Sequence, residues 1–468
     1  MKKLLQSYST PIQEKFIDYL TPCIIKSFTN EKCLTFQFQN LPGPDSSNPI
    51  SDKTTTLQWN DGTFLINTFG PNHLVPVING DTCLEMKLKD FLNEEHEDQH
   101  LYLKDFHAVR DSLTIRNDLQ LYSVPSFFRD DWLNGFYDAL SVSSLFMDDF
   151  RFIYIGREGT CTKLHYDVFS SHSWSMNMSG CKLWLFCQEK DAKQYYDVFG
   201  NLRLTSFLSE EDIHTLQILY NDITEKSIDE YNLTGPISRL THELSFCIQH
   251  PGDVVFVPST WHHEVLNLGP GWISSVNQNW IEATGLEKMH TFINKELYEI
   301  RKRTSENSQT SLYDHTFELH CQQLLSLQTG GFNLILFGKF LLFKADQVIQ
   351  HSTQASLDIK ELFDNGNTFV APHLKPSQSS LLKSSLELIK ALELLALDPF
   401  IINQTNQNIQ EKITCTRAIE PRNYAIEYLT KIHEELCIPK VRTSFTRDDL
   451  LQSALALKFT IQSLTTDK

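Results

Sequence analysis

The chain has 468 residues, of which 41% are hydrophobic and 21% charged, and this ordinary composition excludes a fibrous or fully disordered protein. Its 58 acidic and 41 basic side chains give a net charge of -17 without a long block of one sign. Because such a surface repels phosphate backbones and anionic lipid, we expect no direct nucleic-acid binding and no membrane association, whereas a basic protein partner is compatible.

The N-terminal segment Met1 to Ser7 has two lysines but no sustained apolar run behind them, and no stretch of eighteen apolar residues follows. We therefore expect no signal peptide and no membrane span. The ten cysteines form no CxxC pair, which favours reduced thiols over a disulfide scaffold or a zinc ribbon. Together these features predict a location in the cytoplasm or the nucleus.

Two helices are predicted in the first third of the chain. Thr10, Pro11 and Gln13 form a helix-start pattern that opens a helix to about Leu20. A second, amphipathic helix is predicted around Arg129 to Phe136.

From Arg151 to Trp280 the pattern becomes mostly β, with short apolar runs separated by glycine-containing turns. Eight short strands at this spacing predict an antiparallel double-stranded β-helix, a jelly-roll or cupin-like barrel, either closed or built from two sheets. The predicted strands are Phe152 to Ile155, Leu164 to Val168, Trp174 to Met178, Leu183 to Phe186, Leu244 to Ile248, Val254 to Val257, Trp261 to Leu268 and Ile273 to Trp280.

The rest of the chain is predicted to be helical, most clearly over 286–303, 381–397 and 448–464. We predict three regions: an N-terminal helical and β flank over 1–130, the β core over 131–283, and a C-terminal helical region over 284–468. A partly helical insert at 191–241 interrupts the core.

One histidine and one aspartate fall two positions apart, His165 and Asp167, in the second predicted strand. Residues two apart on a strand point to the same face, so an imidazole and a carboxylate would converge inside the barrel. The same spacing in His96-Glu97-Asp98 lies in a polar loop without a predicted strand, and we interpret it as solvated surface.

A further pair of histidines, His262 and His263, follows about a hundred residues later, after the turn Pro251-Gly252-Asp253. Alternation places these two on opposite faces of their strand, and from the residues alone either could join His165. Two histidines and one carboxylate form the facial triad of non-haem Fe(II) oxygenases, which leaves open positions for a 2-oxo acid and dioxygen. Lys182 begins an otherwise apolar strand, where a ligand carboxylate would pair with it.

Three blocks carry this pattern in order: GREGTCTKLHYD at 156–167, SWSMN followed by GCKLW at 173–184, and PGD leading to His263 at 251–263. In this combination, which covers about residues 131 to 280, the sequence resembles the jumonji-C (JmjC) family of 2-oxoglutarate-dependent oxygenases. The resemblance implies His165, Asp167 and His263 as iron ligands and Lys182 as the partner of the distal 2-oxoglutarate carboxylate. It also implies Thr162 and Asn277 as helpers around that cosubstrate, with Ser275 and Asn279 sharing the strand face of Asn277.

The resemblance further implies an enzyme that uses Fe(II), 2-oxoglutarate and dioxygen to oxidise a protein side chain. Within the family, residues 131–140 and 165–169 are most similar to a branch that hydroxylates a lysine carbon of the eukaryotic peptide-chain release factor, which becomes the expected partner. The alternatives are a histone N-methyl-lysine demethylase and, from another class, an inactive barrel that binds proteins. The sequence does not fix the oligomeric state.

Overall fold

The structure is a computed structural model that describes residues 3–4, 6–9, 22–26, 63–93, 101–112, 121–122, 124–125, 128, 130–143, 149–197, 202–218, 244–306, 315–329, 331–365, 378–404 and 444–466. The chain divides into two units, Met1–Arg129 with Asp149–Trp280 and Asp130–Asp148 with Ile281–Lys468. The predicted helix over 10–20 and the polar loop at 94–98 lie outside the described residues.

The first unit contains every β-strand of the described residues. The strands are β1 (Lys3–Leu4), β2 (Gln6–Ser9), β3 (Cys23–Lys26), β4 (Leu74–Asn79), β5 (Thr82–Lys87), β6 (Leu101–Phe106), β7 (Arg151–Arg157), β8 (Cys161–His165), β9 (His172–Cys187), β10 (Leu244–Gln249), β11 (Val254–Val257) and β12 (His262–Trp280). Its helices are α1 (Thr63–Phe69), α2 (Leu88–Phe91), α3 (Ala108–Ser112), α5 (Glu189–Ala192) and α6 (Glu210–Ile218). The helix between α3 and α5 in chain order, α4 (Trp132–Ser143), belongs to the second unit.

Two long strands build the core because each of them passes from one sheet into the other. The first half of β9 and the second half of β12 lie between β11 and β7. The second half of β9 and the first half of β12 lie between β10 and β8. The result is two four-stranded antiparallel layers, which is the predicted jelly-roll class.

The strand order does not close on itself among the described residues. It runs from β2 through β3, β11, β9, β12, β7, β6 and β4 to β5. The double-sheet form of the prediction is therefore confirmed, and the closed barrel is not formed. β6 pairs with β7 and β4 pairs with β6, so strands β4 to β6 extend one of the two layers. None of these three strands is among the eight that the sequence predicted.

The predicted strands agree with the structure except at their ends and at two bends. Among the glycine-containing turns predicted between strands are Ser179-Gly180 and Gly269-Pro270-Gly271, but β9 and β12 run through both places. At Gly180 a positive φ of 63° bends β9 while both halves keep their neighbours. The second predicted strand was wrong at its end, because β8 stops at His165 and a short 3-10 turn covers Val168–Ser170.

Alternation gives the two layers apolar outer faces and inner faces that are partly polar and partly apolar, the apolar part being a cluster that includes Trp184, Phe186 and Val265. On the first half of β9, Trp174 and Met176 belong to an apolar cluster with β11 and the flank strands. On its second half, Leu183 and Leu185 join a different cluster, which includes residues of the insert. The opposite faces carry buried polar side chains, among them Ser175, Asn177, Lys182, Asn267, Ser275 and Asn277. These polar side chains line part of the space between the layers, where they can bind a polar ligand.

Gly180→Ala is expected to destabilise the first unit by about 2–4 kcal/mol, because φ is positive and a Cβ would lie 2.5 Å from Ile273 Cγ1. Gly80 provides a matched control, since its φ of 61° is nearly the same but no atom lies within 4 Å of its Cβ position. Gly80→Ala should therefore cost only about 1 kcal/mol. Urea unfolding measures both values, and equal losses would contradict the steric argument.

The second unit is helical throughout its described part. It contains α4 (Trp132–Ser143), α7 (Leu286–Glu306), α8 (His315–Gln328), α9 (Leu334–Asn365), α10 (Gln378–Ala396), α11 (Pro399–Gln404) and α12 (Arg447–Thr466). The three C-terminal helices predicted most clearly correspond to α7, α10 and α12. Phe136 of α4 packs against Phe340 and Phe343 of α9, and the Arg301 guanidinium of α7 bonds the Glu318 carboxylate of α8 at 2.6 and 2.8 Å.

No helix of the described residues combines the length and the apolar character that crossing a bilayer requires. The cysteines in the same part of the chain form no disulfide.

Candidate metal centre

Three side chains from distant parts of the chain meet between the two layers. His165, Asp167 and His263 each offer one ligand atom, and these atoms lie within 4.8 Å of one another. His165 and His263 are directly opposite on β8 and β12, with ring centroids 4.3 Å apart. The register of these strands therefore brings together two imidazoles that are 98 positions apart in sequence.

Both imidazoles are oriented by a backbone carbonyl two residues earlier. His165 Nδ1 donates to the Lys163 carbonyl at 2.7 Å, and His263 Nδ1 donates to the Trp261 carbonyl at 3.3 Å. A carbonyl can only accept, so the proton resides on Nδ1 and the Nε2 lone pair is left for a metal. Trp184 stacks on His263 at 5.7 Å between centroids and restricts its ring further.

The environment keeps His165 neutral, which is the form that binds a metal. Burial lowers the pKa of the His165 imidazole well below its ordinary value, and charge on His263 and Lys104 lowers it further.

Asp167 reaches the site by a different route from the one the sequence predicted. It lies beyond the end of β8, in extended conformation just before the 3-10 turn. That turn contains Phe169 and Ser170 at φ of 56° and 51°, and the Phe169 ring is fully buried. The hydroxyl of Ser173 donates to Asp167 Oδ2 at 2.7 Å, which orients the carboxylate and leaves Oδ1 for a metal. Strand alternation alone therefore does not explain the meeting of Asp167 and His165.

His262 takes the opposite face, as alternation requires. Its Nε2 lies 2.6 Å from the Tyr196 hydroxyl, in the insert that packs on the outside of the layer. The structure thus separates His262 from the three converging groups, and His263 alone of this pair reaches them.

Lys182 lies inside β9 with 1% of its surface exposed. Its Nζ donates to the Ser275 hydroxyl at 2.6 Å, and no carboxylate of the described residues pairs with it. Burial lowers the pKa of the Lys182 ammonium from 10.5 to about 7. A buried amine without a counterion is costly, and an anionic ligand would restore its charge.

The two predicted helper residues lie on β8 and on the second half of β12. Asn277 Nδ2 donates to the same Ser275 hydroxyl at 3.1 Å, so Ser275 connects Asn277 to Lys182. Thr162 Oγ1 donates to the Tyr102 hydroxyl at 3.3 Å. Asn279, the other residue considered on this face, donates instead to Ser171 Oγ at 3.0 Å.

One hydroxyl in this space has no protein partner. Ser175 Oγ is buried and makes no hydrogen bond, and Ser175 is directly opposite Asn277 in the sheet. An unpaired buried hydroxyl costs free energy unless a ligand or water completes it. Together with Lys182, it indicates a site for a ligand that carries a carboxylate and further acceptors.

The flank contributes residues that the motifs did not indicate. Tyr102 of β6 reaches Thr162, and Asp105 of β6 accepts a hydrogen bond of 2.7 Å from the Tyr154 hydroxyl. Asp105 adopts a φ of 59° at an irregularity in the pairing of β6 with β7. No sequence pattern marks these positions, because they depend on how the flank pairs with the core. Ser173, by contrast, could have been proposed from its alternation with Ser175.

Comparison with known proteins gives a consistent result. Residues 152–280 match the family model described as JmjC domain, hydroxylase. The chain is 36% identical over 245 residues to the mouse 2-oxoglutarate and iron-dependent oxygenase JMJD4, covering 52% of this chain and 50% of that protein. It is 36% identical over 202 residues to JmjC domain-containing protein 1 of Schizosaccharomyces pombe, covering 43% and 37%.

A plant relative bears a different name. The chain is 29% identical over 325 residues to the Arabidopsis thaliana arginine-specific demethylase JMJ20, covering 66% of this chain and 63% of that protein. The chain spans about half the length of the first curated relatives that it matches.

The family implies Fe(II), 2-oxoglutarate and dioxygen, and the residues present fit them. Two imidazole nitrogens and one carboxylate oxygen are the donor set of non-haem Fe(II) oxygenases. Lys182 and the unpartnered Ser175 hydroxyl suit the carboxylate of the 2-oxo acid.

Proposed function

We propose, on the premise that residues 152–280 of this chain are a JmjC domain, that the protein is a 2-oxoglutarate- and Fe(II)-dependent protein oxygenase. The observation that carries this proposal is the convergence of the His165, Asp167 and His263 ligand atoms within 4.8 Å. In an inactive barrel, these buried groups and Lys182 without a counterion would lower the stability of the fold without serving any function.

In this function, His165, Asp167 and His263 hold the ferrous ion. With 2-oxoglutarate and dioxygen bound, that ion supplies the oxidising chemistry that inserts an oxygen atom into a carbon–hydrogen bond. Lys182 binds the distal carboxylate of the cosubstrate, and Ser275 orients the Lys182 ammonium through its hydroxyl. Ser173 and the two backbone carbonyls hold the ligand side chains in their productive orientations.

The substrate that we propose is a lysine carbon of the eukaryotic peptide-chain release factor. The resemblance of residues 131–140 and 165–169 to the branch with this activity supports it, whereas the relatives named JMJD4 support the coarser class, a 2-oxoglutarate and iron-dependent oxygenase. The net charge of -17 is compatible with a basic partner segment.

A carboxylate beside the site also supports a cationic substrate. The side chain of Asp105 is about half exposed and bonded to the Tyr154 hydroxyl. Burial raises the pKa of this hydroxyl, and the charges of Asp105 and Asp167 raise it further, so both carboxylates act on the same group. Asp105 Oδ2 lies 3.9 Å from Lys104 Nζ, so a substrate lysine ammonium that approaches the site would compete with Lys104 for this carboxylate.

Asp105→Asn is expected to raise the KM for the lysine substrate about 3- to 10-fold, because an amide keeps the shape but loses the charge. The turnover of 2-oxoglutarate without protein substrate should not change. Steady-state kinetics at two salt concentrations check this, with Asp81→Asn as control, since Asp81 is an exposed carboxylate paired with Lys163. Equal KM values for wild type and Asp105→Asn would contradict the role.

Demethylation is the second candidate, because one relative is named an arginine-specific demethylase and another a lysine-specific demethylase. Histone N-methyl-lysine is the alternative substrate expected from the sequence. The two reactions differ in product: hydroxylation adds one stable oxygen atom, whereas demethylation removes a methyl group and releases formaldehyde.

Incubation of the purified protein with recombinant release factor, Fe(II) and 2-oxoglutarate, followed by peptide mass spectrometry, tests the proposal. A single added oxygen on a lysine, absent with His165→Ala, would support it. An unmodified release factor alongside active 2-oxoglutarate turnover would exclude this substrate. Methyl loss from a histone peptide would favour the alternative.

A further inference from the structure

The two neighbours of His263 on β12 are both held by the insert. His262 and Glu264 point to the outer face, opposite to His263. There His262 bonds Tyr196, and Glu264 accepts hydrogen bonds from Ser206 Oγ at 2.5 Å and from the Phe207 backbone N–H at 2.6 Å. We call residues 193–197 and 202–208 the anchoring segment.

The backbone around His263 is paired continuously with β9 over residues 262 to 267, but its pairing is irregular on the β8 side. The pairing of β12 with β8 breaks register between His263 and Val265, so β8 does not hold residue 264. Just before the strand, Thr260 has a φ of 70°, outside the region that non-glycine residues prefer. On the β8 side His263 is therefore fixed at one point only, and besides the pairing with β9 it is the anchoring segment that holds the side chains of His262 and Glu264.

The burial of the Glu264 carboxylate at this place lowers the stability of the fold. It is 1% exposed on a face where its neighbour Leu266 belongs to an apolar cluster that also contains Phe207. The hydrogen-bond donors that it meets are neutral. A well-packed apolar side chain would cover this face at lower cost, so packing alone does not account for a carboxylate here.

We propose that Glu264 and Tyr196, with Ser206, are positioning residues through which the anchoring segment sets the direction of the His263 imidazole and thereby the affinity for the metal. This inference rests on the metal centre of the proposed function. It assigns to the insert a role in metal binding, which no motif of the core predicted. Residues that hydrogen-bond a metal ligand directly commonly change affinity by 10- to 100-fold, and Glu264 acts one residue away from the ligand, through the backbone of β12.

The test is Co(II) binding to the full-length apoprotein without oxygen, followed by calorimetry and by the visible absorption of bound Co(II). Glu264→Ala should weaken binding about tenfold, the lower end of the range for direct partners of a metal ligand, and change the absorption. Glu264→Gln should stay within about threefold of wild type, because its amide can accept from Phe207 and donate to the Ser206 hydroxyl. Tyr196→Phe and Ser206→Ala, which each remove one hydroxyl, should weaken binding several-fold.

Asp212→Ala is the matched control. Asp212 accepts from the Ser209 N–H and hydroxyl at the start of α6, so its loss weakens the insert there and leaves the Tyr196–His262 and Ser206–Glu264 hydrogen bonds in place. It should lower the thermal midpoint and leave the Co(II) dissociation constant unchanged.

The outcomes separate the two proposals. Failure of the wild type to bind Co(II) would contradict the metal centre itself, and with it this inference. Tight wild-type binding that is unchanged in Tyr196→Phe, Ser206→Ala and whichever Glu264 variants fold would overturn the positioning role alone. A lower thermal midpoint with an unchanged dissociation constant counts as the same negative result.

Discussion

Replacing either His165 or Asp167 by alanine is expected to abolish 2-oxoglutarate turnover while the chain stays folded. Each change removes one of three ligand atoms that lie within 4.8 Å. Removing a residue that only hydrogen-bonds a metal ligand lowers metal affinity or activity about 10- to 100-fold. Removing a ligand itself should therefore lower turnover by more than about 100-fold. Succinate formation at saturating Fe(II) measures the effect, and circular dichroism measures the fold.

His250→Ala is the control for the loss of a histidine. His250 is exposed on the turn between β10 and β11, where its Nδ1 contacts Cys181 Sγ at 3.2 Å. Its removal should leave turnover unchanged. Wild-type turnover in both His165→Ala and Asp167→Ala would remove the assignment of these residues to the metal.

The second large effect is expected at Lys182. Lys182→Ala should raise the KM for 2-oxoglutarate about 30- to 150-fold, equivalent to about 2–3 kcal/mol, because a buried charged hydrogen bond to the cosubstrate carboxylate is lost. The structure gives Lys182 no other anionic partner among the described residues. Lys163→Ala is the matched control, because Lys163 is exposed on β8 and pairs with Asp81 at the surface.

The pH dependence of cosubstrate binding should follow the ionisation of the same lysine. Without ligand, burial lowers the pKa of Lys182 to about 7, so the amine is charged below pH 7 and largely neutral above it. A bound carboxylate favours the charged form and raises this pKa, so binding above pH 7 requires proton uptake. The KM for 2-oxoglutarate should therefore rise between pH 7 and 9, approaching tenfold per pH unit.

Steady-state kinetics from pH 6.5 to 9 check this dependence in the wild type and in Lys182→Ala. The variant should show a high and nearly flat KM, since the titrating group is gone. A KM that is unchanged by the substitution, or a parallel rise in the variant, would show that Lys182 does not bind the cosubstrate.

Most of the core could be predicted from local sequence because alternation and turn residues are local properties. Around Trp174 the apolar residues lie on the outer face, and around Leu183 alternation sends Leu183 and Leu185 outward and Trp184 and Phe186 inward, although the run is apolar throughout. The end of β8 could not be predicted, because Asp167 leaves the strand through two residues in left-handed conformation. That conformation depends on burial of Phe169 and on the hydrogen bond from Ser173, which are tertiary contacts.

The choice between His262 and His263 shows the same division. Alternation established that the two histidines face opposite ways, but only the strand register against β8 shows which face meets His165.

The sequence by itself determined the donor chemistry and the approximate places of the core strands, because side-chain type and the two-residue period need no distant partner. Only the tertiary structure decided that His165, Asp167 and His263 converge, that Ser275 connects Lys182 to Asn277, and that the insert holds β12. These features depend on the register and bending of strands far apart in the chain, which are set by packing over the whole unit.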